Sequence, residues 1–113
     1  MHELSLSRAI ADVVSEHAGG RGVTRVRVQV GHLRQVVPSS LEFCWRMVTD
    51  GTELDGCPLD IDHVPAVALC PRCHARTPLD SPVLLCGTCG SREVSLVSGE
   101  EFLVASIDVG EVS

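Results

Sequence analysis

Apolar residues recur at helical spacing near the start of the chain. Leu6, Ile10, Val13, Val14 and His17 fall at i, i+4, i+7, i+8 and i+11, one face of a helix over residues 4–18. Arg8, Asp12, Ser15 and Glu16 lie largely off that face, and Gly19-Gly20 stops the helix. The period then changes from helical to two. Val26, Val28 and Val30 alternate with Arg25, Arg27 and Gln29, which predicts a half-buried strand over residues 23–30, ended by Gly31. Helical spacing returns over residues 38–49, with an apolar stripe of Leu41, Cys44, Trp45 and Val48. Pro38 suits the first turn, and Ser39-Ser40-Leu41-Glu42 offers a capping box. Asp50-Gly51 ends this second helix.

The second half of the chain reads as strands. Leu59 and Ile61 alternate with Asp60 and Asp62 in a strand over residues 59–64, closed by Pro65. Residues 66–69 form a short strand leading into a first cysteine pair, and residues 82–85 lead into a second. Residues 92–97 return, Ser98-Gly99 turns, and residues 101–109 form a long last strand with Leu103, Ala105, Ile107 and Val109 on one face. That last strand is too long for a small ribbon and should pair with the sheet of the first half. The pattern therefore predicts an α+β fold: a two-helix, three-stranded antiparallel lobe (residues 1–65 plus 99–113) carrying an inserted zinc ribbon (residues 66–98).

The cysteine pairs give the ribbon its reason. Cys70-Pro71-Arg72-Cys73 and Cys86-Gly87-Thr88-Cys89 are separated by twelve residues. A Cys-x-x-Cys turn aims two sulfurs at one point, and a tetrahedral ion needs two such turns facing each other. Pro71 stiffens the first turn, while Gly87 and Gly90 permit the tight backbone of the second. A disulfide reading is disfavoured, because a two-residue loop is a poor staple and no export signal is present. Zinc is the expected structural ion, and iron in a rubredoxin-like site suits the same donors. Four thiolates close the shell and leave it negatively charged. Arg72, Arg76 and Arg92 are near enough in sequence to offset that charge, and His74 adjoins Cys73. Cys44 and Cys57 read as ordinary free thiols.

Composition narrows the classes. The chain has 113 residues, 44% of them hydrophobic, with one Trp, two Phe and no Tyr, so its core is aliphatic. A core this small gains from a structural metal. The net charge is −6 and every basic residue is Arg, which argues against nucleic-acid binding. No apolar run approaches the ~20 residues of a membrane span, and the start is not a signal peptide. A soluble, cytoplasmic protein is expected. There is no phosphate-binding Gly-rich loop and no Gly-x-Ser-x-Gly, so no enzyme is expected. The acidic pairs Asp60/Asp62 and Glu100/Glu101 read as solvated surface.

The N-terminus supplies the second candidate site. A free α-amine on Met1, the amide nitrogen of His2 and the His2 imidazole can form fused chelate rings around one ion, and the Glu3 amide can complete a plane. Such tetragonal nitrogen donors suit Ni²⁺ or Cu²⁺. Of the other histidines, His17 is expected in the core, His63 reads as structural, and His32 follows a strand end from which the N-terminus is conceivable.

In combination, Met1-His2-Glu3-Leu4-Ser5-Leu6, Val36-Val37-Pro38 and the paired Cys-x-x-Cys turns resemble the HypA/HybF family over the whole chain. These are nickel metallochaperones for maturation of [NiFe]-hydrogenase. The resemblance implies Ni²⁺ at Met1, His2 and Glu3, with zinc on Cys70, Cys73, Cys86 and Cys89. It also implies a maturation GTPase as partner and the hydrogenase large subunit as recipient, and some members support urease maturation. Family members with His beside both Cys pairs have been linked to pH sensing; here only His74 matches, and Gly90-Ser91 follows the second pair. The chain is expected to be a monomer or homodimer. Two rival readings remain at this point: a zinc-ribbon interaction module without nickel transfer, and a rubredoxin-like electron carrier.

Overall fold

The computed structural model describes residues 2–81 and 83–110. Two helices, α1 (His2–Ala18) and α2 (Pro38–Thr49), are joined by strand β1 (Val23–Gly31) and a short 3-10 turn (His32–Arg34). Strands β2 (Leu59–Val64), β3 (Ala66–Leu69), β4 (Arg76–Leu79), β5 (Ser95–Ser98) and β6 (Phe102–Val109) follow. They form two three-stranded sheets, ordered β2-β1-β6 and β4-β3-β5. The backbone divides into two compact units: residues 1–29, 36–62 and 103–113, and residues 30–35 and 63–102.

The first unit packs the two helices together with the sheet of β1. Its buried side chains include Ile10, Val14 and Ala18 of α1, Val26 and Val28 of β1, and Leu41 and Trp45 of α2. Trp45 is the largest side chain below 2% exposure, and its indole N–H donates to Cys57 O at 2.8 Å. Ser7 is buried where the helices meet and donates to Leu41 O at 3.3 Å. Its hydroxyl finds a partner, as a buried polar group must. Thr49 closes α2 by bonding Trp45 O at 2.8 Å. The Gly110 N–H bonds Gly22 O at 2.7 Å, and Arg27 reaches back to Ser106 and Asp108, so β6 runs antiparallel to β1.

The second unit is the ribbon. β3 is its centre, antiparallel to β4 (Ala66 opposite Leu79, Leu69 opposite Arg76) and to β5, with an irregularity between Val67 and Ala68. Its core is small: Ala66, Ala68, Cys70, Leu79, Cys86 and Val94, backed by Leu33, Ala75 and Leu96. Gly99 has φ +113°, and a Cβ there would stand 2.5 Å from Ala66 Cα, so no other residue fits.

Several sequence expectations shift. The buried face of α1 is Ser7, Ile10, Val14 and Ala18; Val13 is 40% exposed. His17 is exposed too, its Nδ1 meeting only a local partner, Val13 O at 2.9 Å. Small residues at 7 and 18 rotate the contact stripe away from the larger ones. The capping box does not form: Val37 is the N-cap, with no side-chain bond, and Pro38 opens the helix. The strand expected over 82–85 is displaced. Residues 83–85 carry no regular structure, Pro82 lies outside the described residues, and the pairing strand is β4, immediately after the first cysteine turn. In β6 the apolar face of Leu103, Ala105, Ile107 and Val109 is not buried, for Leu103 is 46% and Val109 39% exposed. The strand lies at the sheet's edge, where alternation need not coincide with burial.

Candidate metal centre

The two Cys-x-x-Cys turns fold alike. In the first, the His74 N–H bonds Cys70 O at 2.9 Å and the Cys70 N–H bonds Ala75 O at 3.0 Å. In the second, the Gly90 N–H bonds Cys86 O at 3.0 Å and the Cys86 N–H bonds Ser91 O at 2.9 Å. His74 (φ 61°) and Gly90 (φ 75°) thus occupy the same left-handed position. That position explains Gly90, and it makes His74 a residue held in a conformation that favours glycine. Gly87 packs against Thr77, whose hydroxyl accepts its N–H at 3.0 Å.

These turns bring all four sulfurs together, every pair within 4.8 Å. Cys70 and Cys89 stand 3.6 Å apart and Cys73 and Cys86 3.5 Å apart, each pair reaching from one turn to the other. Zn–S bonds of ~2.3 Å in a tetrahedron set sulfurs ~3.8 Å apart, so the quartet fits such an ion with little adjustment. Each turn contributes one buried sulfur (Cys70, Cys86) and one exposed (Cys73, Cys89).

The thiols are already electrostatically unequal. Backbone N–H groups of Cys89 and Thr88, both 3.4 Å from Cys86 Sγ, bring its pKa down to about 6 against the opposing effect of burial. Cys70 is lowered likewise, chiefly by the Cys73 N–H. Cys73 is pushed up to about 12: the Ala75 N–H pulls it down, but the crowding sulfur of Cys86, burial, and the other two sulfurs outweigh that. Cys89 moves up for the same reason, against the Ser91 N–H. Oriented backbone donors thus stabilise one thiolate per turn, the partial preorganisation a metal site needs. Of the three arginines expected to offset the charge, Arg72 approaches Glu93 at 3.9 Å, an exposed and long ion pair.

The remaining candidates lie elsewhere. His2 is exposed and Glu3 half-buried in the first turn of α1, and Met1 lies outside the described residues. Cys57 is buried, and desolvation pushes its thiol up despite Arg25; Cys44 is half-buried. Asp60 is engaged by Arg25 at 2.6 Å. His32 and His63 come within hydrogen-bond distance of each other, a pairing that neither residue's local sequence signals. The adjacency of β1 and β2 brings them together, since one follows the end of β1 and the other stands near the end of β2.

Comparison with known proteins agrees on one family. The family model described as "Hydrogenase/urease nickel incorporation, metallochaperone, hypA" matches residues 1–109. Among curated relatives named hydrogenase maturation factor HypA, that of Chlorobium limicola is 40% identical, covering 98% of both chains. That of a Nostoc species is 38% identical, covering 99% of this chain and 98% of the relative. The solution structure of the Ni metallochaperone HypA from Helicobacter pylori superposes with a TM-score of 0.65 at 22% identity, covering 96% of this chain and 97% of that one. At that identity the match bears on the fold, which it shares. Among the described residues no helix is long and apolar enough to cross a membrane. With a whole-chain family match, close curated relatives and a four-cysteine cluster, this chain belongs to the HypA family of hydrogenase/urease nickel-incorporation metallochaperones.

Proposed function

We propose that this protein binds Ni²⁺ at a free N-terminus through Met1, His2 and Glu3 and releases it to the large subunit of a [NiFe]-hydrogenase. A maturation GTPase is the partner in that transfer. The observation that carries the reading is the position of His2 and Glu3 at the very start of α1. The first N–H groups of a helix have no partner within it, so the His2 and Glu3 amides are not committed to the helix ladder. Deprotonating them for a planar nickel chelate therefore breaks no helical hydrogen bond. His2 is exposed, as a donor must be if an acceptor is to take the ion by ligand exchange.

Cys70, Cys73, Cys86 and Cys89 hold Zn²⁺ in this reading. The closed thiolate shell supplies folding energy and leaves no coordination position for the cargo. The activity is carriage, not catalysis. Replacing His2→Ala tests the assignment. The tighter nickel-binding event is expected to be lost while zinc content and the far-ultraviolet circular dichroism stay as in the parent. Retained nickel affinity would place the cargo elsewhere, and a metal that proves to be redox-active iron would favour an electron carrier.

A further inference from the structure

The two histidines that meet in the second unit have the geometry of a metal half-site. His32 Nδ1 stands 3.1 Å from His63 Nε2, with the rings nearly perpendicular at 80° and their centroids 5.2 Å apart. The other nitrogen of His32, Nε2, lies 3.0 Å from the carbonyl oxygen of Asp80. A carbonyl only accepts, so Nε2 carries the ring proton of neutral His32 and Nδ1 presents a lone pair. That lone pair faces His63 Nε2, which donates its proton to it while no ion is bound.

We propose that His32 Nδ1 and His63 Nε2 form a second, ribbon-borne site for a divalent transition metal of the nickel-to-zinc class, distinct from both the cysteine quartet and the N-terminus. Three observations support it. First, metal-bound imidazoles characteristically donate their other N–H to a carbonyl or carboxylate, which fixes tautomer and ring orientation, and Asp80 O does this for His32. Second, the separation suits two ligands on one ion. With metal–nitrogen bonds of ~2.05 Å, nitrogens 3.1 Å apart subtend about 98°, between square and tetrahedral angles. Third, His63 is exposed, so it can turn to aim its lone pair at the ion and is reachable from solvent.

Starting from two neutral rings, binding needs no net proton loss. His63 moves its proton from Nε2 to Nδ1, and its Nε2 lone pair replaces the N–H that had bridged the rings. Imidazoles prefer Zn²⁺, Ni²⁺ and Cu²⁺ over the hard cations, so Mg²⁺ should not compete. Two protein nitrogens leave further positions to water or to a ligand from another protein. Such a site is weak and exchangeable, unlike the closed thiolate shell.

The test uses the full chain with one equivalent of Zn²⁺ on the cysteines and extra residues ahead of Met1, so that the N-terminal chelate cannot form. Ni²⁺ is titrated by calorimetry, and the imidazole ¹H–¹⁵N signals are followed. One Ni²⁺ is expected to bind, perturbing the His32 and His63 rings. Either His32→Ala or His63→Ala should weaken it by at least about 10-fold, while His17→Ala leaves it unchanged; even loss of an orienting neighbour alone typically weakens a metal site that much. No binding to the blocked parent, or an affinity in both variants unchanged from that of the blocked parent, overturns the proposal. Since the N-terminus is blocked throughout, either result is independent of the nickel site proposed above. His63 is exposed, so its variant reports on the site even where His32→Ala disturbs the fold.

Discussion

The four sulfurs are identical in the sequence but not in the folded chain. Two backbone N–H groups bring the Cys86 pKa down to about 6, while Cys73 is pushed up to about 12, so Cys86 gives up its proton far more readily. Zinc uptake at pH 7.5 should therefore release fewer protons than the cysteines number, with Cys73 and Cys89 among the donors. Calorimetry in buffers of different ionisation enthalpy counts them, and one proton per cysteine would contradict the inequality. Affinity should rise with pH, because ions displace protons from the raised thiols. His74 offers a second check at this scale. It sits where the other turn has Gly90, so His74→Gly should stabilise the metal-loaded protein by about 1 kcal/mol; a lower denaturation midpoint would show that the imidazole contributes something backbone relief does not replace. The cysteine cluster was legible from spacing alone, because two residues between sulfurs leave a turn few options. The His32–His63 contact was not, since 31 residues separate the two and only strand pairing joins them.

Elements show the same division between local and non-local information. The bounds of α2, β2 and β3 follow from Pro38, Asp50-Gly51, Pro65 and the local period. Which face of α1 is buried depended on the neighbour: Ser7 wins its place by being small and by finding Leu41 O, which no hydropathy pattern encodes. β4 was missed because Arg76–Leu79 has neither alternation nor β-branched density and is a strand only because β3 lies beside it. The turn before β6 is tightly constrained. Gly99→Ala adds a Cβ against Ala66 at a positive φ and should destabilise the protein by more than about 1 kcal/mol in chemical denaturation; a neutral result would mean that β3 yields easily. Between β1 and β6, Arg27 holds Asp108 at 2.9 Å and lowers its pKa through that bond. The sign follows. Asp108 folded has the lower pKa, so the pair contributes above the unfolded-state value and is lost as pH falls through the folded-state value. Asp108→Asn should lower the midpoint slightly at pH 7 and by less at pH 3; an equal loss at both would exclude the charge as its cause.

At the scale of the whole molecule, each unit has its own core, and they differ in what sustains them. The first has Trp45 and a set of fully buried aliphatic residues. The second has two alanines, a leucine, a valine and two of the metal-facing cysteines as its buried cluster, too little apolar surface to hold a fold unaided. Metal binding of the kind expected here is worth on the order of 10 kcal/mol of folding free energy. Removing zinc, or replacing Cys73→Ala, should melt the ribbon while Trp45, in the other core, keeps its buried fluorescence. Simultaneous loss of both signals would show that the units do not fold separately.

The central claim is that cargo and scaffold metals occupy different ends of the sequence. The most direct measurement is a calorimetric Ni²⁺ titration of zinc-loaded protein beginning at Met1, against the same protein with two residues added before it. An added segment leaves every side chain in place and removes only the free amine of residue 1. The account predicts that the extended protein loses the tighter nickel-binding event, retains its zinc, and keeps its helix content. Undiminished nickel affinity in the extended protein would contradict it.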